Sequence, residues 1–287
     1  MLNRLFVTAN GEVRIVWKLV CLILLYIMFN MLLVMPLKLI PLGHQAYQMV
    51  VLYVREAAFI AAAYIALKML DDRRPQDVGL IPFRLGSRAF LIGFALGAGA
   101  MIVIFFGFSF SGTVTLVHPF TQPEISWSLI NGFLFFFVVA VAEEFFFRGY
   151  LMHVFTRRGN VAVPVIMSSV LFALSHAMNP NVAILGLVNI FFVGLLLAWM
   201  YVKTGNLWMP IGFHMAWNYF QGNVFGFPVS GTTRHGLYTI KETENVLWSG
   251  GSFGPEAGLA ATLVLLALTA VIWKMPVTTP YRAYGRM

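Results

Sequence analysis

Residues 127–148 read WSLINGFLFFFVVAVAEEFFFR, an uncharged apolar stretch from Trp127 to Ala142 that runs into Glu143, Glu144 and Arg148. A helix needs about 20 predominantly apolar residues to cross roughly 30 Å of hydrocarbon, and residues 127–147 supply that length. Carboxyl groups on such a helix are costly in lipid and face a protein interior or a wet cavity. One segment therefore indicates both the solvent, a bilayer, and a place where polar chemistry is concentrated.

The rest of the chain repeats the apolar part of that pattern. Of its 287 residues 60% are hydrophobic and 10% are charged, whereas an ordinary soluble domain carries about a quarter charged residues. Apolar runs predict about eight transmembrane helices, near 16–35, 48–69, 89–110, 127–147, 163–179, 183–202, 207–222 and 257–274. The expected fold is all-α and integral to the membrane, one polytopic domain over 1–287 with no internal repeat. No small-residue cleavage pattern follows the first apolar run, so it reads as a retained span and not a signal peptide. The single cysteine, Cys21, lies inside that span and reads as packing.

Basic residues fix the expected orientation. Loops on one side hold Arg4, Arg14 and Lys18; Lys68, Arg73, Arg74, Arg84 and Arg88; Arg148, Arg157 and Arg158; Lys203; and Lys274, Arg282 and Arg286. The other side has Lys38, Arg234 and Lys241, with Arg55 left inside a span. By the positive-inside rule both termini are cytoplasmic. The net charge of +8 therefore reads as topology and attraction to anionic membrane lipid, not nucleic acid, whose readers gather their basic residues on one face of a soluble domain. A multi-pass protein of a prokaryotic inner membrane is the expectation.

The Gly-rich segment 223–256 falls on the outer side, and its Phe225, Phe227 and Trp248 read as interfacial anchors. Arg55 and Glu56 read as a snorkelling or structural pair near the outer end of the second span. His44, His118, His153 and His235 sit in loops or at a span's end and read as ordinary.

All three Asp residues share one loop, and of the Glu residues only Glu56, Glu143 and Glu144 fall within spans. Glu144 and Arg148 are spaced as a helical pair with the acid N-terminal. The plain reading is a salt bridge at a helix end whose arginine snorkels to the surface, and it leaves Glu143, about 100° round the helix, without a local partner. Phe172 and His176 share a face of the fifth span, and His214 and Asn218 share a face of the seventh. A carboxylate and an imidazole suit holding and deprotonating a water, the work expected of Glu143 and His176. A second imidazole and an amide suit donation to an oxyanion, the work expected of His214 and Asn218. For His176 to come level with Glu143, the 157–165 segment is expected to dip into the bilayer or the cavity.

Glu-Glu-x-x-x-Arg at 143–148, Phe-x-x-x-His at 172–176 and His-x-x-x-Asn at 214–218 resemble, in order and spacing, the motifs of the CAAX prenyl endopeptidase and bacteriocin-processing (CPBP) family. The approach Lys203-Thr-Gly-Asn-Leu-Trp-Met-Pro210 is similar to its bacterial members. The resemblance covers roughly 125–222, the expected catalytic core. It implies an eight-helix membrane fold whose cavity holds a Glu-activated water, with Glu143 and His176 at the water, His214 and Asn218 at the oxyanion, and Glu144, Arg148 and Phe172 in support. It implies an endopeptidase acting on a membrane-associated peptide or protein with no cofactor required.

Rival readings are weaker. There is no His-Glu-x-x-His helix, no Asp within a span and no Gly-x-Ser-x-Gly; Ser175 reads as pointing away from His176, and Ser168 and Ser169 read as packing. A zinc metallopeptidase would draw on Glu143, His176 and His214 as ligands. A transporter would use the same polar groups as a path, and a non-catalytic binding or immunity protein would not need them intact.

Overall fold

Each apolar stretch expected to span is helical in a computed structural model, which describes residues 3–8, 10–156, 160–233, 235–242 and 246–278. The longer helices are α1 (Ile15–Val34), α2 (His44–Asp71), α3 (Phe83–Phe110), α4 (Trp127–Glu144), α5 (Ala162–Ser175), α6 (Ile184–Thr204), α7 (Trp208–Tyr219) and α8 (Leu259–Lys274). Among the described residues five segments are long and apolar enough to cross a membrane: Ile15–Leu39, His44–Asp71, Pro75–Phe110, Trp127–Phe155 and Ile184–Thr204. The protein is an all-α integral membrane protein. Leu24, Met28, Met31 and Leu32 of α1 are exposed, as expected of a helix whose outer solvent is lipid.

Helices α5 and α8 are shorter, and α7 has 12 residues, of which those from Trp208 to Trp217 are buried without interruption. It is a core helix gripped by its neighbours. Its closest partner is α3, where glycine permits backbone contact: a Cβ on Gly93 would lie 2.0 Å from the Met209 carbonyl oxygen, and one on Gly97 would lie 2.4 Å from that of Phe213. Gly212 answers from the other side, where a Cβ would meet the Phe90 carbonyl oxygen at 2.2 Å.

Helix ends alternate between two faces of the bundle. Asp71, closing α2, meets Lys18 from the start of α1 and His153 Nε2 at 3.4 Å from beyond α4. Lys203 near the end of α6 donates to the carbonyls of Trp273 and Met275 at the end of α8, at 2.9 and 2.8 Å. At the opposite face β1 (Val114–Leu116) pairs antiparallel with β2 (Ile240–Glu242).

Three expectations are corrected. The fourth span does not end at 147: α4 continues through a π-helical stretch, Phe145–Leu151, to Phe155, so Arg148 is a mid-helix residue and is fully buried, not a snorkelling one. Phe225 and Phe227 are not interfacial anchors. Both are buried, and Phe225 stacks on Phe105 at 4.2 Å, because the 223–256 segment folds back into the protein. The fifth helix stops at Ser175, and His176 begins the turn after it. Arg157 and Arg158 of the segment expected to dip, together with Arg234, Arg282 and Arg286, lie outside the described residues.

Candidate active site

The π-helical stretch directly follows the two acids. Such a bulge releases backbone groups from the regular ladder and is frequent at functional sites. Here the Phe147 carbonyl accepts a hydrogen bond from Ser168 Oγ at 2.9 Å, so Ser168 is a packing residue that also satisfies the bulge.

Glu144 and Arg148 form the pair expected from spacing, but inside the protein. Arg148 Nη1 donates to Glu144 Oε1 at 2.7 Å, and both side chains are completely buried. Arg148 Nη2 also donates to the Gly194 carbonyl at 3.4 Å, and its guanidinium carbon lies 4.2 Å from the centre of the Phe172 ring. A buried charge is tolerated when it is paired and hydrogen-bonded. Gly194 also admits α5: a Cβ there would meet Ser169 Cβ at 2.9 Å.

This clamp positions the histidines. His214 Nδ1 lies 2.9 Å from the same Glu144 Oε1, which leaves Nε2 facing Glu143 Oε2 at 3.8 Å. His176 Nδ1 lies 2.8 Å from the Phe172 carbonyl and 3.2 Å from Ser175 Oγ. A carbonyl only accepts, so His176 Nδ1 carries the proton and its Nε2 is an acceptor in the neutral ring. Ser175 thus touches His176 instead of pointing away, although its own hydroxyl donates to the Phe172 carbonyl at 2.7 Å. Phe172 supports the site twice, through its ring and through its backbone.

Glu143, His176, His214 and Asn218 line one cavity of about 190 Å³. Glu143 Oε2 is buried and has no hydrogen-bond partner among the described residues, so its lone pairs are directed at cavity space. One water placed there can bond to the carboxylate and to an imidazole together. Among the described residues no three His, Cys, Asp or Glu side chains are gathered closely enough to hold a metal ion.

Sequence reasoning missed part of this lining. Arg55 and Glu56 of α2 face the same cavity; Arg55 is exposed, whereas Glu56 is 8% exposed. The available signal was a carboxyl group within a span, which is functional by default. Glu256, in the turn Pro255–Ala257 before α8, is also in the lining. It accepts hydrogen bonds from the Ser230 backbone N–H at 2.9 Å and the Ser230 hydroxyl at 3.2 Å. Burial pushes its carboxyl up to about 7, against the lowering pull of Ser230 and Gln221.

Residues 125–220 match the family model described as type II CAAX prenyl endopeptidase Rce1-like. The matched segment coincides with the expected core at 125–222 apart from two residues, contains all three motifs, and supports the resemblance to the CPBP family. The chain is also 27% identical over 129 residues to an uncharacterized 24.3 kDa protein of Escherichia coli, covering 41% of this chain and 57% of that protein.

Proposed function

We propose that this protein is an intramembrane endopeptidase that hydrolyses a peptide bond of a membrane-associated substrate with a water activated by Glu143. The observation that carries the reading is the Glu143 carboxylate itself: an unpartnered buried oxygen, 3.8 Å from His214 Nε2, in a cavity that His176 and Asn218 also line. The match of this segment to CAAX prenyl endopeptidases supports the same reaction class.

In this reading Glu143 takes a proton from the water and His176 Nε2 accepts its second hydrogen bond. The oxygen adds to the substrate carbonyl, and the developing oxyanion receives the Asn218 amide N–H and His214 Nε2–H. With Nδ1–H donated to Glu144 Oε1, simultaneous donation from Nε2 puts a proton on both ring nitrogens. Glu144 then accepts from Nδ1, which holds the ring in place. No metal or cofactor is required, and the partners are membrane lipid and a lipid-proximal peptide or protein. All eight helices cross a bacterial plasma membrane with both termini cytoplasmic, in keeping with the alternation of helix ends and the charge bias of the loops.

The test compares membrane peptides in cells carrying the intact protein and Glu143→Gln. Peptides that accumulate as intact precursors only with the variant are expected; identical peptide populations would overturn the proposal.

A further inference from the structure

Three carboxyl groups, Glu56, Glu143 and Glu256, line the cavity, and the proposed reaction uses one. Glu256 is occupied by Ser230. Glu56 is different: it comes from α2, outside the matched segment 125–220, it is 8% exposed, and its Oε2 is buried with no hydrogen-bond partner among the described residues. A polar oxygen buried and left open toward a cavity is costly unless something that enters the cavity meets it.

We propose that Glu56 is the catalytic acid that protonates the departing amine, while Glu143 is the base that activates water. The inference rests on the peptidase reading above. Glu56 and Glu143 line one cavity from different helices, α2 and α4, so a substrate there can meet two carboxyl groups, which suit the separate roles of acid and base. Glu143 Oε2 lies 3.8 Å from His214 Nε2. Among the described residues no imidazole nitrogen lies within ion-pair distance of Glu56. The charged and titratable groups that face it are Arg55 on its own helix, Glu143 from α4, His176 after α5, His214 from α7 and Glu256 before α8. Arg55 is exposed, so its charge is the more easily screened.

The steps balance. Glu143 takes a proton as the water oxygen bonds to the carbonyl carbon, and the C=O π pair moves to oxygen. Collapse restores C=O and breaks C–N; the bond pair stays on nitrogen, which takes the Glu56 proton. The products are a carboxylic acid and an amine. Transfer of the proton held by Glu143 to Glu56 restores both groups.

A leaving amine needs an acid, whereas a leaving alkoxide with electron-withdrawing substituents does not. The probe is a library of lipid-anchored peptides, each made with an amide and with an activated ester at the same bond, incubated with purified protein in detergent. With members the intact protein cleaves, Glu56→Gln should lose amide cleavage by about 100-fold or more and keep ester cleavage within about 10-fold, and Glu56→Asp should recover part of the amide rate. Glu143→Gln should lose both. Equal loss of amide and ester cleavage in a monodisperse Glu56→Gln protein, or no loss of amide cleavage, overturns the assignment. If Glu56→Gln does not fold, the intact protein decides: amide cleavage should fall on the alkaline side where ester cleavage does not, and superimposable pH profiles overturn it. An intact protein that cleaves no member, amide or ester, overturns the peptidase reading itself.

Discussion

His214 Nδ1 and Arg148 Nη1 converge on a single oxygen, Glu144 Oε1, at 2.9 and 2.7 Å. That oxygen joins a buried charge pair to the imidazole proposed to bind the oxyanion, so Glu144 acts on chemistry through geometry.

Glu144→Ala should leave the Arg148 guanidinium uncompensated in a fully buried site, at a cost of about 3–5 kcal/mol. Glu144→Gln keeps an acceptor oxygen for both donors and should retain part of the activity with a smaller loss of stability. Thermal unfolding in detergent separates them; equal midpoints for the two variants would contradict this role.

The placement of His214 depends on the glycine contacts between α3 and α7. Gly97→Ala puts a Cβ 2.4 Å from the Phe213 carbonyl oxygen, and neither backbone can yield without moving α7. A loss of about 1–3 kcal/mol is expected from overpacking, with cleavage falling by up to about 100-fold as the site shifts. Gly99→Ala, on the same helix but facing open space, should leave both unchanged. Matched effects of the two substitutions would show that close approach is not what matters.

How much of this was legible in sequence depends on the range of the interaction. The helices follow from apolar runs, and the Glu144–Arg148 pair follows from i, i+4 spacing. What surrounds that pair does not: its burial depends on α4 continuing to Phe155, with Phe172 and Gly194 packed around it. A π-helical stretch has no clear signature in a run such as Phe145-Phe146-Phe147. The 223–256 segment reads as an outer loop because glycine and proline break its pattern, yet Phe227 is completely buried and Gly226, at φ +74°, lets the chain turn against the Tyr238 carbonyl. Glu56 and Glu256 reach the cavity from distant parts of the chain, and local patterns carry no record of that convergence.

Glu256 should make stability depend on pH. Its carboxyl stands at about 7 in the folded protein against an ordinary 4.5, so the folded state binds the additional proton between those values. The contribution is complete below about pH 4.5 and is lost as pH rises through about 7, on the order of 3 kcal/mol in all. The melting temperature in detergent should fall from pH 5 to pH 8, and Glu256→Gln should flatten that fall. An unchanged slope in the variant would assign the pH dependence elsewhere.

The topology is tested independently of activity. Reporter fusions after residues 75, 115, 155 and 240 should read cytoplasmic, external, cytoplasmic and external. A cytoplasmic signal at 240 would contradict eight crossings with both termini inside.

The central claim is that the Glu143 carboxylate takes the proton of an unligated water. The direct measurement is cleavage per folded molecule by purified intact protein and Glu143→Gln, before zinc is stripped, after stripping, and after its return, with folding judged by monodisperse elution. The account predicts that the intact protein cleaves at the same rate under all three conditions and that Glu143→Gln, equally well folded, loses turnover by about 100-fold or more. Cleavage retained by Glu143→Gln, or activity that disappears on stripping and returns with zinc, would contradict it.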